Sequence, residues 1–291
     1  MILKREIEQI AEQKKVAKAT IDKDWVLGHF INAIFSIPEC KRDLIFKGGT
    51  CLKKCWFNNY RFSEDLDFTS INPGFMLDKK LLDKIASLVN ERTEIPLHVQ
   101  KLEQLKFNDR PTGFAAIVKF WGADHPRNQA PPPPQRWLTS IKIEIIIYEQ
   151  MVFPPAIRPI HHGYSDNLSE LTAAGIPCYS IQEVLAEKLR ALIQRSYSAP
   201  RDFYDIWYLS QNVSELNWSE IVEAFHKKMK FKNIEFTGIE QMINKENDKQ
   251  LMAAWNNSLA HQIPGDDFPE YGIVRKEIKH LLLKYFGLDN K

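Results

Sequence analysis

Between Lys47 and Phe68 the chain reads KGGTCLKKCWFNNYRFSEDLDF. Gly48 and Gly49 let the backbone approach a ligand closely or take a positive φ. Thr50 is a good N-cap for the residues after it. A Gly-Gly-Thr turn that opens a helix presents free N–H groups and positive dipole, which suits a phosphate. Lys47, at the head of the turn, joins Gly48, Gly49 and Thr50 as a phosphate-binding candidate. Beyond a polar loop, a strand places Arg61, Ser63, Asp65 and Asp67 on one face, because side chains alternate. Phe62, Leu66 and Phe68 then point toward a core. Mg²⁺ prefers oxygen ligands and usually takes one or two carboxylates plus substrate phosphates. Carboxylates at 65 and 67 beside a phosphate cradle therefore suit Mg²⁺-dependent phosphoryl or nucleotidyl transfer. Singly, Asp-x-Asp and Gly-Gly are common, and each also describes a solvated strand face or a plain turn.

The rest of the chain must position this segment. Residues 4–19, rich in Lys, Glu, Gln and Ala, read as a helix. Thr20–Ser36 reads as a second, ended by Pro38. Asn72-Pro73-Gly74 is a turn, and Leu77–Glu91 is an amphipathic helix. Thr112–Trp121 and Ser140–Glu149 read as strands around an insertion at about 122–137. Its four prolines, Pro131–Pro134, cannot join a sheet ladder. Arg127, Arg136 and Trp137 beside them can touch RNA or belong to a plain loop. In Ser140–Glu149, Ile141, Ile143, Ile145 and Ile147 line one face, and Lys142 and Glu144 lie on the other. An unpaired charge in a central strand is costly, so Glu144 is a candidate third carboxylate for one or two Mg²⁺, with Lys142 supporting it.

From about Ser180 the chain turns helical. In Ile181–Arg195, Ile181, Val184, Leu185 and Leu192 form one face with Lys188 in its middle. Glu183, Glu187 and Arg190 fall opposite. A cation on a buried stripe needs a partner: Lys188 either snorkels, pairs structurally, or points at nucleotide phosphates. Ser198 can cap the next helix, with Pro200 in its first turn. Asp202 there is a dipole partner or a site residue. Asp205, deeper in the helix, needs a partner, which Arg201 or Lys188 can supply. Phe225–Lys232 (FHKKMKFK) suits either a nucleic-acid backbone or a solvated helix, and Ile273–Phe286 closes the chain as a helix.

Composition adds bounds. The 291 residues are 44% hydrophobic and 26% charged, with net charge +2, so any nucleic-acid argument rests on local clusters. No apolar run reaches the roughly 20 residues that span a bilayer. The first residues lack a secretory segment, so the expectation is cytoplasmic. Cys51 and Cys55 share a helix face, and a zinc site would want a second close Cys or His pair; none is evident, though His161 and His162 are adjacent. All four cysteines, Cys40 and Cys178 included, read as reduced, buried thiols.

Four separated pieces now stand in order: GGT…SEDLDF, the KIE strand, QEVLAEKLRAL and RDFYDIW. Together they resemble the AbiEii/AbiGii-type toxin family of the nucleotidyltransferase superfamily, whose relatives include the MenT tRNA nucleotidyltransferases. Lys23-Asp24-Trp25 is similar to an early Lys-Asp-aromatic stretch of that family. The resemblance implies an α+β fold: a nucleotidyltransferase-type mixed sheet with flanking helices over residues 1–178, and a helical C-terminal domain over 179–291, with the active site in the cleft between them. It implies that Asp65 and Asp67 bind Mg²⁺, Lys188 contacts an NTP, and Asp202 acts near the reacting hydroxyl. Where the family more often carries Lys-x-Asp, this chain has Lys142-Ile143-Glu144, a longer ligand. The implied activity is transfer of NMP from an NTP to a hydroxyl. The tRNA 3′ end is the leading acceptor, a protein or small-molecule hydroxyl the alternative, and an inactive nucleotide-binding module the reading from another class. A toxin of this kind also implies a cognate antitoxin.

Overall fold

The computed structural model describes residues 2–126, 128–168, 173–195, 199–265 and 268–287. The chain divides into two units, Met1–Glu149 with Pro155–Cys178, and Gln150–Pro154 with Tyr179–Lys291. Arg127 and Ser198, named above, lie outside the described residues.

The first unit is built on a seven-stranded mixed sheet. Its strands are β1 (Leu44–Lys47), β2 (Asp65–Ser70), β3 (Leu97–Phe107), β4 (Arg110–Phe120), β5 (Ser140–Ile146), β6 (Ala156–Arg158) and β7 (Ile176–Cys178). They lie in the order β3-β4-β5-β2-β1-β7-β6. β2 runs antiparallel to β1 and parallel to β5, which places the Asp-x-Asp strand at the centre. The helices are α1 (Lys4–Lys14), α2 (Lys18–Ser36), α3 (Pro38–Asp43), α4 (Gly48–Cys51) and α5 (Lys79–Thr93). Every residue of α2 from Asp24 to Phe35 is buried. Trp25, Val26, Phe30 and Phe35 join Leu66, Phe68, Ile141, Ile143 and Ile145 in one core, so this helix is apolar nearly all round because it is enclosed.

The continuous helix expected over 4–19 instead breaks, because Lys15 takes a left-handed conformation (φ 55°) that closes α1. β3 was not anticipated. Its faces are half-exposed or exposed along its length, so it lacks a clean hydrophobic alternation. It turns into β4 through Asn108 and Asp109, both at positive φ, as a two-residue hairpin requires. The Pro-rich segment does connect two strands that pair antiparallel, β4 and β5. It is pinned by Trp137, which is buried and donates its indole N–H to the Pro132 carbonyl at 2.7 Å. Arg136 is exposed.

The second unit holds α6 (Ile181–Gln194), α7 (Pro200–Asn212), α8 (Trp218–Phe231), α9 (Lys245–Leu259) and α10 (Tyr271–Phe286). Ser180 caps α6 by accepting from the Glu183 N–H. The side of α6 opposite that apolar face also reaches the interior, because Glu183 and Arg190 are both buried. The Glu183 carboxylate accepts from the Val152 and Phe153 N–H groups and lies 2.6 Å from Lys228 Nζ. Lys228, inside the FHKKMKFK stretch, therefore belongs to the interior and not to a solvated or nucleic-acid-facing surface. It also donates to the Gln150 carbonyl at 2.8 Å. Among the described residues, no helix is long and apolar enough to cross a membrane.

Candidate active site

Parallel pairing of β2 with β5 sets Asp65 opposite Lys142 and Asp67 opposite Glu144. Residues in register share a face, so Asp65, Asp67, Glu144 and Lys142 stand together on one side of the sheet. Ile141, Ile143 and Ile145 of β5 and Leu66 and Phe68 of β2 occupy the other side, in the core. Lys142 Nζ bonds Glu144 at 2.5 Å. Burial opposes the Lys142 charge, but the carboxylates of Glu144, Asp65 and Asp67 outweigh it and raise the pKa of this lysine. One ammonium thus serves three carboxylates.

β1 delivers Lys47, which pairs in register with Asp67 and is buried. The chain then turns at Gly48, whose φ of +81° favours glycine. A Cβ at Gly48 would lie 2.3 Å from Asp67 Oδ2, so the turn and the carboxylate are built against each other. A Cβ at Gly49 would meet the Arg61 guanidinium at 2.8 Å and the Ser63 hydroxyl at 2.9 Å. Arg61 and Ser63 accordingly close over the turn, although they precede β2 and do not lie on it as alternation suggested. Thr50 is not the N-cap either. Lys47 occupies that position with no side-chain cap, and the Thr50 hydroxyl donates to the Asp65 carbonyl at 2.5 Å. Threonine here ties the helix to the start of β2. After α4 the helix widens into a π-turn, Leu52–Trp56, a distortion frequent at functional sites.

The Lys23-Asp24-Trp25 stretch holds this arrangement from behind. Lys23 pairs with Glu64 at 2.9 Å, just before β2. Asp24 accepts from Lys54 at 2.6 Å and from the Tyr164 hydroxyl at 2.7 Å. Burial works against the Asp24 charge, yet the Lys54 and Lys53 ammonium groups and these bonds hold its carboxyl below the usual range. Trp25 Nε1 donates to Asp166, which His29 and His162 also contact through Nε2 at 3.0 and 2.9 Å. These interactions fasten α2 to the helix after the glycine turn and to the 160s loop. Spacing alone gave no sign of the Lys53, Lys54 and Tyr164 part of the network.

In the second unit, Lys188 Nζ sits 2.6 Å from Asp202 Oδ1 and 2.7 Å from Asp205 Oδ2. Arg195 Nη1 reaches Asp202 Oδ2 at 2.9 Å. The α6 lysine and the α7 aspartates are therefore one ion cluster, with both carboxylates buried. Arg201, the other partner considered for Asp205, is exposed, and Glu187 is half-buried.

The profile of the family described as nucleotidyl transferase AbiEii toxin, type IV toxin–antitoxin system, matches residues 29–272. No curated protein sequence matches. The MenT4 nucleotidyltransferase toxin from Mycobacterium tuberculosis H37Rv is 16% identical, with a TM-score of 0.56 over 98% of this chain and 99% of that one. JHP933 from Helicobacter pylori is 15% identical, with a TM-score of 0.52 over 92% and 95%. These likenesses support a nucleotidyltransferase-type fold. The glycine turn, the acidic strand and the family match over most of its length agree, and the chain belongs to the AbiEii family of nucleotidyltransferase toxins of type IV toxin–antitoxin systems.

Proposed function

We propose that this toxin transfers a nucleoside monophosphate from an NTP to the 3′ end of tRNA, using Mg²⁺ held by Asp65, Asp67 and Glu144. The observation that carries the reading is the absence of room between Gly48 and Asp67. A phosphate against the turn and a cation on the carboxylate are then neighbours. The donor set is all carboxylate oxygen, which fits Mg²⁺. Bound there, Mg²⁺ would neutralise phosphate charge and polarise the reacting phosphoryl group.

The protein's own groups do the rest. The N–H groups of the Gly48-Gly49-Thr50 turn and the Lys47 ammonium hold phosphate oxygens. Arg61 and Ser63, closed over Gly49, add donors to the same place. Lys142 sets the Glu144 carboxylate, whose extra methylene lets it bend toward the lysine. Lys188 contacts the nucleotide and Asp202 acts near the reacting hydroxyl, while Asp205 orients the Lys188 ammonium. Arg201 and Glu187 flank these residues as supporting groups. Catalysis then comes from positioning and charge neutralisation. Substrates of this kind place the reaction in the cytoplasm, and the family implies an antitoxin that restrains it.

The test is incubation with each of four α-labelled NTPs, Mg²⁺ and total tRNA. Label at the tRNA 3′ end is expected. Label in protein or a small molecule would reassign the acceptor, and NTP binding with no transfer to any acceptor would overturn the reading.

A further inference from the structure

Cys51 and Cys55 lie one helical turn apart beside the glycine turn, and the fold brings a third cysteine to them. Cys178 ends β7, which pairs with β1 at Phe46, immediately before the turn. The sulfurs of Cys51, Cys55 and Cys178 all lie within 4.8 Å of one another, and all three residues are buried. Buried thiols often act only as small hydrophobes. Two features here go beyond that. Cys51 and Cys55, with the Arg158 charge and Trp56, favour ionised sulfur at Cys178, whereas burial holds Cys51, and the Cys178 sulfur holds Cys55, above the usual thiol range; the Arg158 guanidinium stacks 4.5 Å from the Trp56 ring. Three mutually close sulfurs with a guanidinium bonded to the backbone of one of them go beyond what apolar packing requires. Arg158 is itself held by a bond from its Nε to the Cys55 carbonyl at 3.3 Å.

We propose that Cys51, Cys55 and Cys178 form a thiolate site for one soft d¹⁰ cation, Zn²⁺ or Cu⁺, that clips the phosphate-binding turn to β7. Metal–sulfur bonds of about 2.3 Å place the sulfurs of a shared ion roughly 4 Å apart, so the existing cluster needs only slight contraction. Binding replaces the thiol protons, which leave to solvent. No electron is transferred. Three thiolates around Zn²⁺ leave one net negative charge, which Arg158 offsets. Soft sulfur selects these ions over Mg²⁺, so the clip and the carboxylate face do not compete for metal. The inference stands independently of the transfer reading.

The test uses the full chain, reduced and stripped of metal. Zn²⁺ and Cu⁺ are titrated separately against chromophoric chelators, and Co²⁺ is added as a spectroscopic stand-in for Zn²⁺. The expected result is one equivalent of metal, a sulfur-to-cobalt charge-transfer band in the near ultraviolet, and a higher Tm with metal. Affinity should fall by more than about 100-fold in Cys55→Ser and Cys178→Ser. It should hold in Cys40→Ser, a buried thiol in α3 that burial pushes up to about 12. Because serine variants can fail to fold, the wild-type cobalt spectrum and chelator titrations together decide the matter without them. No band together with no competition for Zn²⁺ or Cu⁺ would overturn the proposal, as would undiminished affinity in folded Cys178→Ser.

Discussion

Gly48→Ala is the sharpest perturbation of the proposed centre, because it adds one methyl where the turn meets the acidic strand. At φ +81° an L side chain costs about 1–2 kcal/mol. That cost should lower Tm by about 2–8 °C in a chain of this size. The second effect is steric. The new Cβ would stand 2.3 Å from Asp67 Oδ2, whereas ordinary contact begins at 3.4 Å, so the carboxylate must withdraw by about 1 Å. A displacement of that size at a positioning group costs on the order of 10²-fold in rate. Gly49→Ala is the internal comparison. Its Cβ meets the ends of Arg61 and Ser63, which are side-chain ends that can shift, so its loss should be smaller. The assay is NMP transfer at saturating NTP, normalised to folded protein by circular dichroism. If Gly48→Ala folds and transfers within about threefold of wild type, the claim that turn and carboxylate form one machine is wrong.

The other expectations follow from buried charge. Lys188→Ala leaves Asp202 and Asp205 buried without their shared ammonium, and should destabilise by about 3–5 kcal/mol in urea unfolding, so activity loss must be read per folded molecule. Lys228→Met strands the Glu183 carboxylate in the interior and should cost about 3–5 kcal/mol while leaving the residual transfer rate of folded protein unchanged. Asp22 is raised by burial to about 7, against opposing bonds from the Ala123 and Asp124 N–H groups. Because its folded pKa lies above its unfolded one, the folded state holds the extra proton. Stability from this group is full below pH about 4, declines by about 1.4 kcal/mol per pH unit up to about 7, and is flat beyond. Asp22→Asn should flatten that part of the profile, and an unchanged slope in denaturant titrations from pH 5 to 7 would refute it.

How much of this was legible in the sequence depends on which residues did the work. The Asp65–Asp67 alternation and the β-branched run of β5 were readable because a central strand writes its burial as a period of two. Parallel register then brought Lys142 and Glu144 to the aspartates, a long-range pairing that no local window contains. β3 escaped because an edge strand carrying Lys101, Glu103 and Lys106 has little apolar alternation to display. A partner for Asp205 was anticipated, with Lys188 one of the two named, but the pairing of Lys188 with Asp202 was not. Nor was the burial of Glu183, since its partner Lys228 lies far along the chain in a stretch that looked solvated. Thr50 shows the limit of local rules: its type suits a cap, but the backbone turns helical two residues earlier, and its hydroxyl reaches β2 instead.

The acidic face of β2 is proposed to drive nucleotidyl transfer. The most direct measurement of this is the single-turnover rate of label transfer from α-labelled NTP to tRNA by wild type and by Asp67→Asn, a near-isosteric change that removes one charge. A measurable wild-type rate that needs divalent metal is expected, with a loss of about 10³-fold or more in the variant and Tm little changed, reflecting the several kcal/mol a metal supplies. Equal rates in the two proteins, or transfer undiminished by a chelator, would contradict it.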